Sequence, residues 1–539
     1  MTQTSADAAS ARNRFRGGAT APYEDPSRPV AERVEDLLGR MTVEEKAGLM
    51  FQTMAMMGEG GKLVDDPAEL LMGSATVRRM IEDRLMSHFN IFGGAAPAQI
   101  AAWHNQVQEI ALGTRLGIPV TISTDPRHHF TDNPGTAAMA QGFAQFPETT
   151  GLAAIGDEEL VREFADIMRR EYLAVGIRVA LHPQIDLATE PRWARINGTF
   201  GEDAELTGRM VAAYIKGAQG DTLGPQSVAA MTKHYPGGGP QKDGTDPHFA
   251  NGREQVYPGD NFAYHLEPFK KALEAGTSQM MPYYGMPIGT DMEEVAFGFN
   301  KGVITGLLRE ELGFDGIVCT DWGLISDAEI FGQAYPARAW GVEHLGEQER
   351  VLRVIEAGCD QFGGEACPEH VVALVRDGKV AEERLDMSVR RILREKFVLG
   401  LFDEPFVSVE DADALVGTPE ALALGLRTQS RSITLLKNGA EGAAQPVLPL
   451  ASGTKVYVEG VDAEVAARYG TVVATPEEAD VAIVRTRTPW DPADGPFEAF
   501  FHGGSLAFGA DELQRLLGLC ATVPTVVDIY LERPAVIPE

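Results

Sequence analysis

The sequence predicts an α/β fold, a (β/α)8-type barrel followed by a second, smaller α/β domain. Three observations carry this. Between residues 116 and 364, short apolar runs at 118–123, 177–181, 228–232, 279–282, 317–320 and 358–360 alternate with helical periodicity. Repeated β-α units of this kind make a parallel sheet, and this many of them favour closure into a barrel. Second, polar residues gather at the ends of these runs, where a barrel keeps its chemistry. Third, Gly400-Leu401-Phe402-Asp403-Glu404-Pro405 breaks the pattern, and further strand-like runs follow at 433–436, 455–459, 481–485 and 526–531.

In chain order, residues 1–20 are small, polar and Arg-containing, without the apolar segment of a secretory signal, and are expected to form a disordered tail. Residues 29–50 read as a helix pair. Val30, Val34, Leu37 and Leu38 recur at helical spacing, and Thr42 with Glu45 makes a capping box. Helical periodicity returns over 368–399, where Val372, Leu385, Val389, Ile392 and Leu393 mark apolar faces. The domains expected are therefore a barrel over 21–402, a linker over 403–418 and the second domain over 419–539, which opens with a helix. Residues 439–445 read as a surface loop.

Composition narrows the partners. Among 539 residues, 78 acids against 47 bases give a formal charge of −31, which argues against nucleic acid or an anionic membrane and favours a neutral or cationic small molecule. No apolar run reaches membrane-spanning length. Cys319, Cys359, Cys367 and Cys520 show no CxxC or Cys/His ligand spacing, so neither disulfides nor a zinc site is expected, and a reducing cytoplasm fits. No metal or cofactor is called for. HExxH, GxSxG and GxxxxGK[ST] are absent. Gly237-Gly238-Gly239-Pro240 is read as a loop rather than a phosphate cradle, because no helix pattern begins there.

The richest stretch is Gly313-Phe314-Asp315-Gly316-Ile317-Val318-Cys319-Thr320-Asp321-Trp322-Gly323. A buried strand there would place Asp321 in the barrel mouth with Trp322 as a flat wall beside it. An isolated Asp after a strand more often caps a helix, but Asp321 has company at other strand ends. Asp125 follows 120–123, Arg192 and Arg195 follow the next strand, Lys233 and His234 follow 228–231, and Tyr283 and Tyr284 follow 279–282. Carboxylates and cations that fix hydroxyls, beside aromatic faces, are the groups that recognise sugars.

These residues carry a family resemblance. The opening Val30-Ala31-Glu32-Arg33-Val34-Glu35-Asp36-Leu37-Leu38, Pro191-Arg192-Trp193-Ala194-Arg195, Phe200-Gly201-Glu202-Asp203, Lys233-His234-Tyr235-Pro236-Gly237 and Thr320-Asp321-Trp322-Gly323 resemble the segments of glycoside hydrolase family 3. The resemblance implies a barrel followed by an α/β sandwich domain, and retaining exo-acting hydrolysis of a β-glycoside, a β-glucoside first. Asp321 would be the nucleophile, Trp322 and Tyr284 would lie against the sugar, and Asp125, Arg195, Lys233 and His234 would bind its hydroxyls. Arg192 is expected to be structural. The two catalytic carboxyls should sit about 5–5.5 Å apart.

The acid/base belongs to a region of low similarity in the family. Glu498, in the aromatic context 497–501, is the first choice and Asp491 the second. Asp246 and His248 remain a third, since some members use an Asp/His pair on the loop after the Lys-His segment; that pair would suggest an N-acetylhexosaminidase or a phosphorylase. A non-catalytic sugar-binding remnant is the alternative from outside enzymology. The chain ends at Glu539 soon after a strand, earlier than the family pattern, so a truncated second domain is expected. The partner is a small-molecule β-glycoside or oligosaccharide, with self-association left open.

Overall fold

A computed structural model of the protein describes residues 21–70, 75–131, 133, 141–439 and 446–539. The expected tail at 1–20 and most of the 439–445 loop lie outside them. The chain forms two compact units. The first holds the described residues up to Thr189 with Gly198–Lys242 and Pro247–Ser432; the second holds Glu190–Asn197, Asp243–Asp246 and Ile433–Glu539.

The first unit is built on eight parallel strands: β1 (Phe51–Gly58), β2 (His88–Phe92), β3 (Thr121–Thr124), β4 (Ile177–Ala180), β5 (Ala229–Tyr235), β6 (Gln279–Pro282), β7 (Ile317–Val318) and β8 (Phe362–Gly363). Each pairs in parallel with the next from β1 to β7, and β8 pairs with β1. A parallel bridge between Cys319 and Gln361 joins β7 to β8 and closes the ring. The antiparallel strand Lys62–Leu63 is a side branch on β1.

The helices between strands follow from capping and periodicity. The Thr42/Glu45 box forms, with Glu45 N donating to Thr42 Oγ1 and Thr42 N to Glu45 Oε2. Asp157 caps Glu158–Ala174 and Asp203 caps Ala204–Gln219. Val179, Ala229, Met231, Met281 and Cys319 fill the barrel interior. At the other end of the strands, fully buried Lys396 donates to Ser87 O, Pro119 O and Thr121 Oγ1, tying helix Glu382–Val398 to the starts of β2 and β3. Burial holds its ammonium well below the usual lysine range.

The ring closes on a buried carboxylate. Asp360 is 0% exposed; its Oδ2 accepts from Val318 N at 2.9 Å and from Arg309, and its Oδ1 from Ser388 Oγ at 2.7 Å and Arg391 at 3.1 Å. Val318 O in turn accepts from Asp360 N and Gln361 N, and Thr320 N donates to Gln361 O. The segment 358–360 is therefore the turn into β8, and the strand itself begins at Phe362.

Three expectations need correction. β1 and β2 were not foreseen, because Phe51–Gly58 is rich in Met rather than β-branched residues and His88–Phe92 interleaves polar side chains. The unit boundary falls after Ser432, not within 403–418. Helices Val409–Leu415 and Pro419–Ser432 belong to the first unit, where Gly417 N donates to Glu171 Oε1 and Gln429 Nε2 to Gln145 O. The run at 433–436 is no strand; Ile433 and Leu436 are 70% and 86% exposed.

The second unit carries a four-stranded parallel sheet of β9 (Lys455–Glu459), β10 (Thr471–Val472), β11 (Val481–Arg487) and β12 (Thr525–Tyr530), in the order β10-β9-β11-β12. Helix Ala510–Thr522 covers it through Leu516 and Leu519, which pack with Ala482, Val484 and Val523. Buried Arg533 donates to the carbonyls of Arg192, Gly504, Pro489 and Ser505, gathering the loops of this unit.

Candidate functional site

The seam between β7 and β8 presents Asp321. Thr320 N is bonded to Gln361 O, Gly363 N donates to Thr320 Oγ1 and Gly323 N to Gly363 O, so both flanks of Asp321 are held to β8. Asp321 is 7% exposed. Its Oδ1 accepts from Trp322 N at 2.8 Å, while Oδ2 accepts no hydrogen bond among the described residues. An acceptor left bare in a buried place is costly. The helix-cap reading of Asp321 does not apply, since the residues after it form a turn rather than a helix.

β5 supplies the neighbours. The register between β5 and β6 slips between Lys233 and Tyr235, a bulge that re-aims side chains which would otherwise alternate across the sheet. Lys233 Nζ lies 3.0 Å from Asp125 Oδ1, and Asn90 of β2 donates to Asp125 Oδ2 at 3.0 Å, so each oxygen of that carboxylate has a donor. His234 Nε2 is 3.8 Å from Asp321 Oδ2, and its Nδ1 is 2.7 Å from Asp186 Oδ2. Asp125, Lys233, His234 and Asp321 thus meet at the carboxyl ends of β3, β5 and β7.

Trp322 is half-buried and packs on the end of β8. A Cβ on Gly363 or Gly364 would come within 2.6 or 2.7 Å of its ring, so this close approach requires glycine. Tyr284 differs from expectation. Its ring is 0% exposed, edge-on to His248 at 4.8 Å and beneath Arg338 at 5.3 Å, which leaves no face for a sugar. Its hydroxyl donates to Trp322 O at 2.8 Å, and Arg338 Nη1 donates to the same carbonyl at 3.1 Å. Tyr284 supports the Trp322 turn from below. His248 is buried in this unit and its carbonyl accepts from Arg338 Nε.

The remaining predicted residues belong to the second unit. Arg195 is buried there, and Arg192 pairs with Glu190 at 2.8 Å on the surface. The Asp246 carboxylate accepts the Trp193 indole N–H at 2.9 Å. Asp491 is exposed, and its Oδ2 accepts from Ser505 N. Glu498 is half-buried at the start of a short helical turn, flanked by the buried rings of Phe497 and Phe501, which meet edge-to-face at 5.4 Å. Among the described residues no three His, Cys, Asp or Glu side chains gather as a metal site would require.

Sequence reasoning missed Asn90, Asp186, Arg338 and Glu365. Asn90 was hidden with its strand. Asp186 and Glu365 stand in loops just beyond β4 and β8, and an acid in that position was the available signal.

The comparisons with known proteins agree with one another. Residues 42–395 match the family model described as the N-terminal domain of glycosyl hydrolase family 3. β-Glucosidase C of Emericella nidulans is 55% identical over 523 residues, which cover 96% of this chain and 82% of that one. The periplasmic β-glucosidase/β-xylosidase of Dickeya chrysanthemi is 43% identical over 547 residues, covering 97% and 82%. Among solved structures, a β-glucosidase from Erythrobacter marinus superposes with a TM-score of 0.76 at 22% identity, covering 96% of this chain and 74% of that one. A β-glucosidase from Listeria innocua in complex with isofagomine gives a TM-score of 0.70 at 22% identity, covering 94% and 70%. At that identity the likeness shows the fold.

Glu365 gives the site a pH-dependent anchor. Its Oε1 accepts from Ile325 N at 2.8 Å and Ser326 N at 3.2 Å, holding the loop that follows Trp322. Burial pushes its carboxyl up from 4.5 to about 6. A raised folded-state value means that the stabilising proton is in place below pH 4.5 and is lost as pH rises through about 6. Glu365→Gln keeps the accepting oxygen and removes the charge. Relative to wild type, the variant is expected to gain about 2 kcal/mol between pH 4.5 and about 7.5, read by denaturant unfolding at both pH values.

Proposed function

Because the chain belongs to glycosyl hydrolase family 3, we propose that it is a retaining, exo-acting β-glycosidase that releases terminal non-reducing β-D-glucosyl residues, with Asp321 as nucleophile. The observation that carries this is the bare Asp321 Oδ2 at the end of β7, beside Lys233, Asp125 and His234. The glucosyl preference is supported by the names of the relatives, one of which also carries the name β-xylosidase.

In the first step Asp321 Oδ2 attacks the anomeric carbon, the glycosidic C–O bond breaks, and an acid group protonates the leaving oxygen. In the second, the same group takes a proton from water, whose oxygen displaces Asp321 and restores its carboxylate. Lys233, held by Asp125, is positioned to fix a sugar hydroxyl, and Trp322 supplies the apolar wall. For the acid/base we assign Glu498, supported by the buried aromatic rings on both sides of it in the chain.

Asp321→Asn is expected to keep its thermal midpoint and lose at least about 1,000-fold in kcat on 4-nitrophenyl β-D-glucoside. More than a few per cent of wild-type turnover rejects the assignment. The acid/base is read from leaving-group dependence. Glu498→Ala should still cleave a dinitrophenyl glucoside in the first step, fail on cellobiose, and recover its second step with azide. If this pattern appears in Asp491→Ala or His248→Ala while Glu498→Ala behaves as wild type, the role passes to that residue.

A further inference from the structure

Asp186, in the loop after β4, is 0% exposed and takes three N–H groups. Its Oδ1 accepts from the backbone of His234 at 3.2 Å and from the backbone of Gly238, and its Oδ2 faces His234 Nδ1 at 2.7 Å. An ionised carboxylate only accepts hydrogen bonds. Nδ1 therefore carries the hydrogen, and Nε2 is the nitrogen turned toward Asp321 Oδ2, 3.8 Å away. Tyr283 packs against the same imidazole, with ring centres 4.5 Å apart. Gly238 makes the cluster fit, since a Cβ there would lie 3.0 Å from Asp186 Oδ1 and 2.6 Å from the Tyr283 ring.

Resting on the reading of Asp321 as nucleophile, the geometry points to Asp186 as a positioning residue for the reaction. It acts through His234, fixing the plane and tautomer of the imidazole so that Nε2 addresses the attacking oxygen. Without that bond the ring could expose either nitrogen, and the environment of Asp321 Oδ2 would differ between the two. A purely structural role, tying the loop after β4 to the turn after β5 through two backbone N–H groups, predicts something else. It would cost stability and leave the chemistry of His234 unchanged.

Asp186→Asn separates the two roles. Its carbonyl oxygen can keep both backbone N–H groups while its amide N–H points at Nδ1, forcing the hydrogen onto Nε2. On 4-nitrophenyl β-D-glucoside the variant should lose about 100-fold or more in kcat, with KM within about threefold and a thermal midpoint within a few degrees of wild type. In a His234→Ala background the same change should cost less than about twofold, because residues that act through one another are not additive. A loss below about threefold in Asp186→Asn, or an equal loss with and without His234, overturns the inference. Histidine nitrogen NMR on the wild-type protein provides a reading that does not depend on the variant folding. A protonated Nδ1 on His234 is expected, and a bare Nδ1 overturns the inference. A wild-type protein without turnover on any β-glycoside would instead refute the proposed function, and the nitrogen spectrum would still decide the tautomer.

Discussion

The barrel depends on how β7 and β8 are joined. Both strands are only two residues long, so the ladder between them is too short to hold by backbone pairing alone. Asp360 supplies what is missing, bridging Val318 N, Ser388 and the guanidiniums of Arg309 and Arg391. A carboxylate taken fully out of water is tolerated only when its charge and its lone pairs are met. Here two cations and two neutral donors meet them. Asp321 lies three residues beyond Val318, so the bond that closes the ring also fixes the place of the proposed nucleophile.

Around that point the molecule arranges charge in pairs rather than leaving it loose. Lys233 is matched by Asp125, Asp125 by Asn90 and His234 by Asp186, and the two members of each pair sit on or just past different strands. Side chains fixed in this way need little reorganisation when charge develops at an anomeric carbon, which is where preorganised dipoles contribute most. Small residues make the arrangement possible: Gly363 and Gly364 admit the Trp322 ring, and Gly238 admits Asp186. Tyr284 and Arg338, both buried, hold the Trp322 carbonyl and so fix the turn that follows Asp321.

Much of this was legible in the sequence. Strands ending in an acid or a Lys-His pair announced β3, β5 and β7, and the residues at those ends do meet. The apolar runs gave six of the eight strands, with 358–360 placed slightly early. What escaped detection did so for identifiable reasons. A strand of Phe, Gln, Thr, Ala and Met offers neither a β-branched run nor a polar–apolar alternation to detect, and β1 is of that kind even though its burial alternates from Thr53 onward. The helix at Pro419–Ser432 was placed with the second unit because Gly400 to Pro405 looked like a boundary, yet that turn lies within the first unit. Asp186 does not stand out in Pro183-Gln184-Ile185-Asp186, since its partner is 48 residues away. Tyr284 was expected to lie against the sugar because the family resemblance implied it; only burial shows that its ring is covered.

The central claim is that Asp321 bonds covalently to the sugar. A fluorinated substrate, 2,4-dinitrophenyl 2-deoxy-2-fluoro-β-D-glucoside, slows both steps by withdrawing charge from the transition state but keeps a reactive leaving group, so the intermediate accumulates. Proteolysis and mass spectrometry of the trapped protein should show one fluoroglucosyl group on the peptide containing Thr320-Asp321-Trp322, localised to Asp321. A sugar adduct on any other carboxylate, or steady release of dinitrophenol with no adduct on the protein, would contradict the account.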